Sequence, residues 1–192
     1  DDDSANTRHA GACACHRVLS REAPLDDEAT VLDRLGNLMI RYTQDDNKSV
    51  VRETACIALG AVVGRATDPA ERLRGVIEST LLAIMKNNQE RMEVHRAVAK
   101  GLLLALHLSK EGGVFLLGKT MLDVCLQLAM SGSQRVQFAY NDVLWLALDV
   151  EKGEDGLIAY QGVANFDNSK SMKSLYSKVL VRIKEVDMDA LL

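Results

Sequence analysis

Asp45–Val63, DDNKSVVRETACIALGAVV, is the stretch whose reading decides the fold. It opens with a polar turn and continues as a helix whose small and branched apolar residues share one stripe. The pattern recurs 44 residues earlier and 44 later: Thr7–Leu19 (TRHAGACACHRVL), Val51–Val63 (VRETACIALGAVV) and His95–His107 (HRAVAKGLLLALH). Arg8, Arg52 and Arg96 align, followed by the small residues Gly11, Ala55 and Ala99, then Cys15, Leu59 and Leu103, then Val18, Val62 and Leu106. The small and apolar positions fall at the i, i+3, i+4, i+7 spacing of one helix face.

Six residues before each arginine stands an acid: Asp2, Asp46 and Glu90. A weaker fourth copy is Asp167 before Lys173, and the pattern lapses near Arg135 and Gln137, where Ser131 takes the acid's place. An acid at a helix start faces the positive end of the helix dipole and can also reach a base on the adjoining unit. Asp46, Arg52, Glu90 and Arg96 are therefore expected to form a structural ladder.

Amphipathic stretches lie between the copies. Asp27–Gln44 carries Val31, Leu32, Leu35, Leu38, Met39 and Tyr42, and Pro69–Lys86 opens on Asp68-Pro69-Ala70-Glu71, a helix start with proline in the first turn. Val114–Met130 places Leu117, Met121, Val124, Cys125 and Leu128 at helical spacing, and Gly156–Ala164 is a shorter version. No stretch alternates with period two, so no strand is expected. The chain parses as one unpaired helix (5–21) and four helix pairs (27–66, 69–110, 114–149, 155–188), with turns at Asp45–Ser49, Asn87–Glu90, Ser131–Ser133 and Asn165–Ser169.

A period near 40–44 is that of paired-helix solenoids. Asp46…Val51-Arg52…Ala55…Ala58-Leu59-Gly60 resembles the second helix of a HEAT repeat, with its acid and base ladder. The resemblance covers nearly the whole chain, most strongly 2–107, and weakens after Gly112. It implies an all-α, right-handed α-α superhelix of about four HEAT-like pairs plus the unpaired first helix, forming one domain over 1–192. Cys15, Val18 and Leu19 on that first helix need cover, so the chain is expected to be an excerpt of a longer array.

Composition narrows the function classes. The hydrophobic fraction is 47% and the charged fraction 26%, which suits a packed globular chain. Residues 1–46 hold ten acids against five arginines, while the remainder holds 17 acids and 18 bases, so no strong basic field invites nucleic acid. No apolar run reaches the roughly 18–20 residues that span a bilayer, and DDDSANTRH is not a signal peptide. Cys13, Cys15, Cys56 and Cys125 lie in apolar helical stretches, which reads as reduced thiol in a cytoplasmic or nuclear protein.

Three chemical readings compete with a plain scaffold. Gly113-Val-Phe-Leu-Leu-Gly118-Lys119-Thr120 matches the GxxxxGK[ST] phosphate loop, and Val143–Leu148 before Asp149 could pass for the apolar strand and Mg²⁺-holding acid of a nucleotide hydrolase. Such a loop needs a strand ending at Gly113. Ser109–Gly112 intervenes after a repeat helix, and four bulky apolar residues fill the loop positions, so a helix junction is expected instead. His9, Cys13 and His16 share a face, yet seven residues of helix span about 10 Å, too far for both histidines to reach one ion. Cys56 or Cys125 with His95 or His107 could make a nucleophilic pair, but apolar neighbours point to inert thiols. No His-Glu dipeptide occurs, so the iron-binding signature of HEAT-like hydroxylases is missing.

What remains is surface. In paired-helix solenoids the second helices line the concave side, and the turns within pairs form one edge. Lys48, Arg91, Arg135 and Lys170 on the turns, with Lys100, Phe138 and Asn141 on the second helices, are the expected partner-binding residues. Cys56 is expected in one column with Lys100 and Asn141. Phe138, Tyr140 and Trp145 gather the aromatics in the third pair, where an anchoring pocket is expected. The expectation is a non-enzymatic scaffold for a protein partner, without cofactor or metal. Tubulin is a further candidate partner, since some HEAT arrays bind it through these turns; the wholly polar Asp45–Ser49 turn speaks against it. Titration with Mg·ATP or Mg·GTP should give no binding heat in a calorimeter; a saturable heat abolished by Lys119→Ala would establish the nucleotide site instead.

Overall fold

The computed structural model describes residues 4–20, 27–44, 48–65, 71–108, 119–131 and 133–147. Among them are seven α-helices and no strand: α1 (Ala5–Leu19), α2 (Glu28–Gln44), α3 (Ser49–Arg65), α4 (Glu71–Lys86), α5 (Met92–Leu108), α6 (Lys119–Ser131) and α7 (Gln134–Ala147). All seven overlap the expected helical segments, with α3 beginning at Ser49 and α6 ending at Ser131, each one residue inside an expected turn. The fourth pair (155–188), Asp68–Ala70 and Val114–Gly118 lie outside the described residues. No described helix is long and apolar enough to cross a membrane. The chain divides into two compact units, Asp1–Phe115 and Leu116–Leu192.

In the first unit α3 is the hub, packed against α1, α2 and α5. Its sequence explains why. Val51, Ala55, Cys56, Ala58, Leu59, Gly60, Ala61, Val62 and Val63 are all buried, and residues apolar around nearly the whole circumference suit a helix enclosed by neighbours. The flanking helices are one-sided by comparison. On α4 the buried line is Leu73, Ile77, Leu81 and Met85, a strict i, i+4 stripe. On α2 it is Leu32, Gly36, Met39 and Thr43. The leucines expected to lead that stripe, Leu35 and Leu38, are only half-buried. Gly36 is the notch that shifts the line: a Cβ there would stand 3.0 Å from a Leu73 methyl of α4 and 3.4 Å from Val62 of α3.

Specific contacts fix the helix directions. Glu28, at the start of α2, meets Arg65, at the end of α3, and Gly36 faces Val62, so α2 and α3 run antiparallel. Arg52 meets Glu90, Gly60 meets Gly101, and Gly64 meets Ala105, so α3 and α5 run parallel. The α3–α5 contact is backbone against backbone. A Cβ on Gly60 would land inside the Gly101 peptide, and one on Gly64 would lie 2.8 Å from Ala105 Cα. A glycine inside a helix costs about 1 kcal/mol relative to alanine. Here that cost is offset by van der Waals contact along two helices that no side chain holds apart.

In the second unit α6 packs on α7. Met121, Leu122, Val124, Cys125, Leu126 and Ala129 of α6 are buried, as are Val136, Tyr140, Val143 and Leu144 of α7.

The glycines give a two-sided test. Gly60→Ala should lower the stability of the chain by about 3 kcal/mol, at the upper end of overpacking costs, because helix backbone and not a movable side chain occupies the space. Gly75→Ala on α4, with nothing within 4 Å of its Cβ, should raise stability by up to about 1 kcal/mol. Urea unfolding followed by circular dichroism measures both, and a Gly60→Ala midpoint at or above that of the unaltered chain would refute the seam.

Candidate functional site

The turn between α4 and α5 positions one of the candidate residues. Asn87 shapes it: its side-chain oxygen accepts the Gln89 N–H at 3.0 Å, its carbonyl accepts the Glu90 N–H at 3.0 Å, and the buried His95 ring places Nε2 3.2 Å from that same carbonyl. A carbonyl only accepts, so Nε2 carries the proton. Arg91 follows, its carbonyl taking the Val94 and His95 N–H groups as α5 begins, and its side chain is exposed. Lys48 holds the matching place on α3. Its carbonyl accepts the Val51 N–H at 3.1 Å, and its side chain is exposed. Because α3 and α5 are parallel neighbours, Lys48 and Arg91 stand at the same end of the first unit, beside two helix N-termini whose dipoles add positive potential.

Two acids share this edge, the exposed Glu93 in the first turn of α5 and the half-buried Glu90 just before it. Glu90 Oε1 accepts the Arg91 N–H at 2.8 Å and Arg52 Nη2 at 2.9 Å. Burial opposes its ionisation, but the Arg91 N–H, the Arg52 hydrogen bond and the Arg52 charge outweigh burial, and the Glu90 carboxyl is held below its ordinary range. Arg52–Glu90 thus crosses from α3 to the start of α5. Arg96 is half-buried on α5, while Asp46 lies outside the described residues. A second pair, absent from the sequence reading, closes the other end of α3: Arg65 gives Nε at 2.8 Å and Nη2 at 2.7 Å to Glu28 Oε1. Acid in the first turn of one helix and base in the last turn of its antiparallel neighbour were visible as a dipole pattern. Their separation of 37 residues lies outside the 44-residue frame.

Lys100 is exposed on α5, about 13 Å along the axis from Arg91 at 1.5 Å per residue, so the edge and the helix face are separate patches. In the second unit Arg135 and Phe138 are exposed on α7 and Asn141 is half-buried. Lys170 lies outside the described residues. One expectation needs correction. Cys56 does not share a surface column with Lys100: it is fully buried, because α5 lies over it with Gly101 against its carbonyl. Of the aromatics on α7, Tyr140 is fully buried and Phe138 is 43% exposed.

The chemical alternatives take definite places. Burial pushes the Cys56 thiol up to about 12, reinforced by the Glu90 charge, and burial raises the Cys125 thiol as well, so neither offers a thiolate near neutral pH. His16 bonds Ser20 Oγ through Nδ1 at 3.0 Å, whereas His9 contacts Cys13. Among the described residues no three His, Cys, Asp or Glu side chains come together to hold a metal. Lys119 opens α6 and Thr120 is exposed on it; Gly113–Gly118 lie outside the described residues. Val143–Ala147, which could have passed for a strand, is the last part of α7. Asp142 escaped the sequence reading: burial pushes its carboxyl up to about 7.

Searched against family models, curated proteins and solved structures, the chain matches none of them.

Glu90 supplies a pH test. Its folded pKa is depressed, so its contribution is present above the unfolded carboxylate range and is lost as pH falls through the folded pKa. Glu90→Gln should therefore destabilise the chain at pH 7 by roughly 1.5–3 kcal/mol, the range for a hydrogen bond to a charged group. The deficit should vanish at acid pH. Paired urea titrations across that range check it, and a deficit that persists unchanged at low pH would refute the ion pair.

Proposed function

We propose that this chain is a HEAT-like helical array serving as a non-enzymatic scaffold. In this reading α2–α3, α4–α5 and α6–α7 are repeat pairs of a right-handed superhelix, and α1 takes the place of a second helix. The observation that carries it is the order of contacts in the first unit. The three segments related by 44 residues, α1, α3 and α5, pack in sequence order with α3 in the middle, and α2 and α4 contact one another. Stacked repeats require that order, since each buries its apolar face only against the next.

The partner is a protein segment taken along the Lys48–Arg91 edge or across the exposed face of α5 at Lys100. Two exposed cations and two helix N-termini outweigh the one exposed acid described there, Glu93, and favour an acidic segment. Charge at such a rim governs encounter and specificity more than total affinity, so the association should weaken with salt.

Crosslinking mass spectrometry on the native full-length protein, paired with pull-down, tests the proposal. Lys48→Glu with Arg91→Glu should lose most of the partner captured by the unaltered protein. Reversal of the exposed Arg34 on α2 should leave capture intact. Equal capture by both variants would remove the edge from consideration.

A further inference from the structure

His9 and Cys13 of α1 and Thr54 of α3 form a connected cluster that neither the core nor the scaffold reading uses. Thr54 Oγ1 donates to the Val50 carbonyl at 3.0 Å, which commits its one hydroxyl proton. The same oxygen lies 3.3 Å from His9 Nδ1, so at that contact it accepts, and Nδ1 carries the ring proton. Nε2 is then the basic nitrogen. Cys13 Sγ is 3.6 Å from Nε2 and 3.9 Å from Nδ1, so the sulfur rests against the ring, in contact with the nitrogen that can receive a proton. His9 Nδ1–H to Thr54 Oγ1 and Thr54 O–H to the Val50 carbonyl fix the ring and leave Nε2 basic beside the Cys13 thiol. A thiol, a base in contact with it and a third group fixing the base's tautomer make the arrangement of an activated nucleophile. Unlike Cys56 and Cys125, Cys13 is only half-buried.

We infer that Cys13 is a modification site, a thiol activated by His9 for exchange with small disulfides, with Thr54 as the positioning residue. The Cys13 proton passes to His9 Nε2, and the thiolate attacks one sulfur of the incoming disulfide. A Cys13 S–S bond forms as the original S–S bond breaks, and the departing thiolate takes the proton from the imidazolium. Cys13 is oxidised to the disulfide level, and the departing sulfur is reduced to a thiol. Cys15 is the built-in comparison. It is on the same helix and also half-buried, but no described histidine touches it, and burial raises its thiol against a smaller opposing backbone hydrogen bond.

The test incubates the native full chain at neutral pH with oxidised glutathione and follows adducts at each cysteine by peptide mass spectrometry. Cys13 should react about ten times faster than Cys15 or more, an order of magnitude below the low end for a fully aligned base because the sulfur lies beside the Nε2 lone pair, with Cys56 and Cys125 slowest. His9→Gln should remove that advantage and leave the Cys15 rate unchanged. Thr54→Val should slow Cys13 in part, and Thr54→Ser should restore it. Equal rates at Cys13 and Cys15 in the unaltered chain would overturn the inference, as would a Cys13 rate indifferent to His9→Gln. Should His9→Gln loosen α1, seen as a rise at Cys15, the Thr54 pair decides: equal Cys13 rates in the valine and serine variants reject the relay.

Discussion

The first unit depends on α3 and α5 meeting backbone to backbone at Gly60 and Gly101. The seam lets two parallel helices touch over their middle turns, with Gly64 against Ala105 extending the contact. Everything α3 does elsewhere follows from being held there: one side faces α1, another α2, and nine of its residues leave water. Burial carries the energy. Leu59, Val62 and Val63 each contribute on the order of 1.5–3 kcal/mol when enclosed, together more than a well-made ion pair adds. Arg52–Glu90 and Arg65–Glu28 act as register marks at opposite ends of α3, one toward α5 and one toward α2.

Much of this was legible in the sequence, and what escaped did so for a geometric reason. The interval between Arg8, Arg52 and Arg96 placed α1, α3 and α5, because equivalent residues repeat at one spacing. Contacts between neighbours do not join equivalent residues. Gly60 on the forward side of one helix meets Gly101 on the rear side of the next, across about 41 residues and not 44. A repeat alignment shows what recurs, whereas a seam is made from two different faces of the recurring unit. Gly36 illustrates the other gap: a missing side chain is silent in a hydrophobic pattern, yet it draws Leu73 into the α2 groove and moves the buried line off Leu35 and Leu38.

The candidate surface was less legible than the fold because α3 and α5 are apolar around most of their circumference. Periodicity finds an outward face by contrast with polar residues, and in ACIALGAVV there is little contrast. Cys56 could therefore be taken for a face residue although α5 covers it completely. Lys48, Arg91 and Lys100 are exposed, since a lysine or arginine in a turn or on a flank has no partner-free place inside. The same contrast separates the thiols. Cys56 and Cys125 sit where burial suppresses ionisation, while Cys13 sits at the α1–α3 margin, where His9 reaches it and Thr54 reaches His9.

The seam also constrains where function can reside. A helix that must present hydrogen atoms at Gly60 and Gly101, and nothing larger than a methyl at Ala105, has no room on that face for side chains that bind or react. Chemistry and recognition are displaced to the helix ends and outer faces. Lys48 and Arg91 flank the starts of α3 and α5, Lys100 lies on the open side of α5, and the His9–Cys13–Thr54 relay borders α1. Substitution at those places leaves the close-packed glycine contacts untouched, so the outer surface can change without changing how the helices pack. A residue in the seam has no such freedom, because any added atom there must push two helices apart before it can touch anything else.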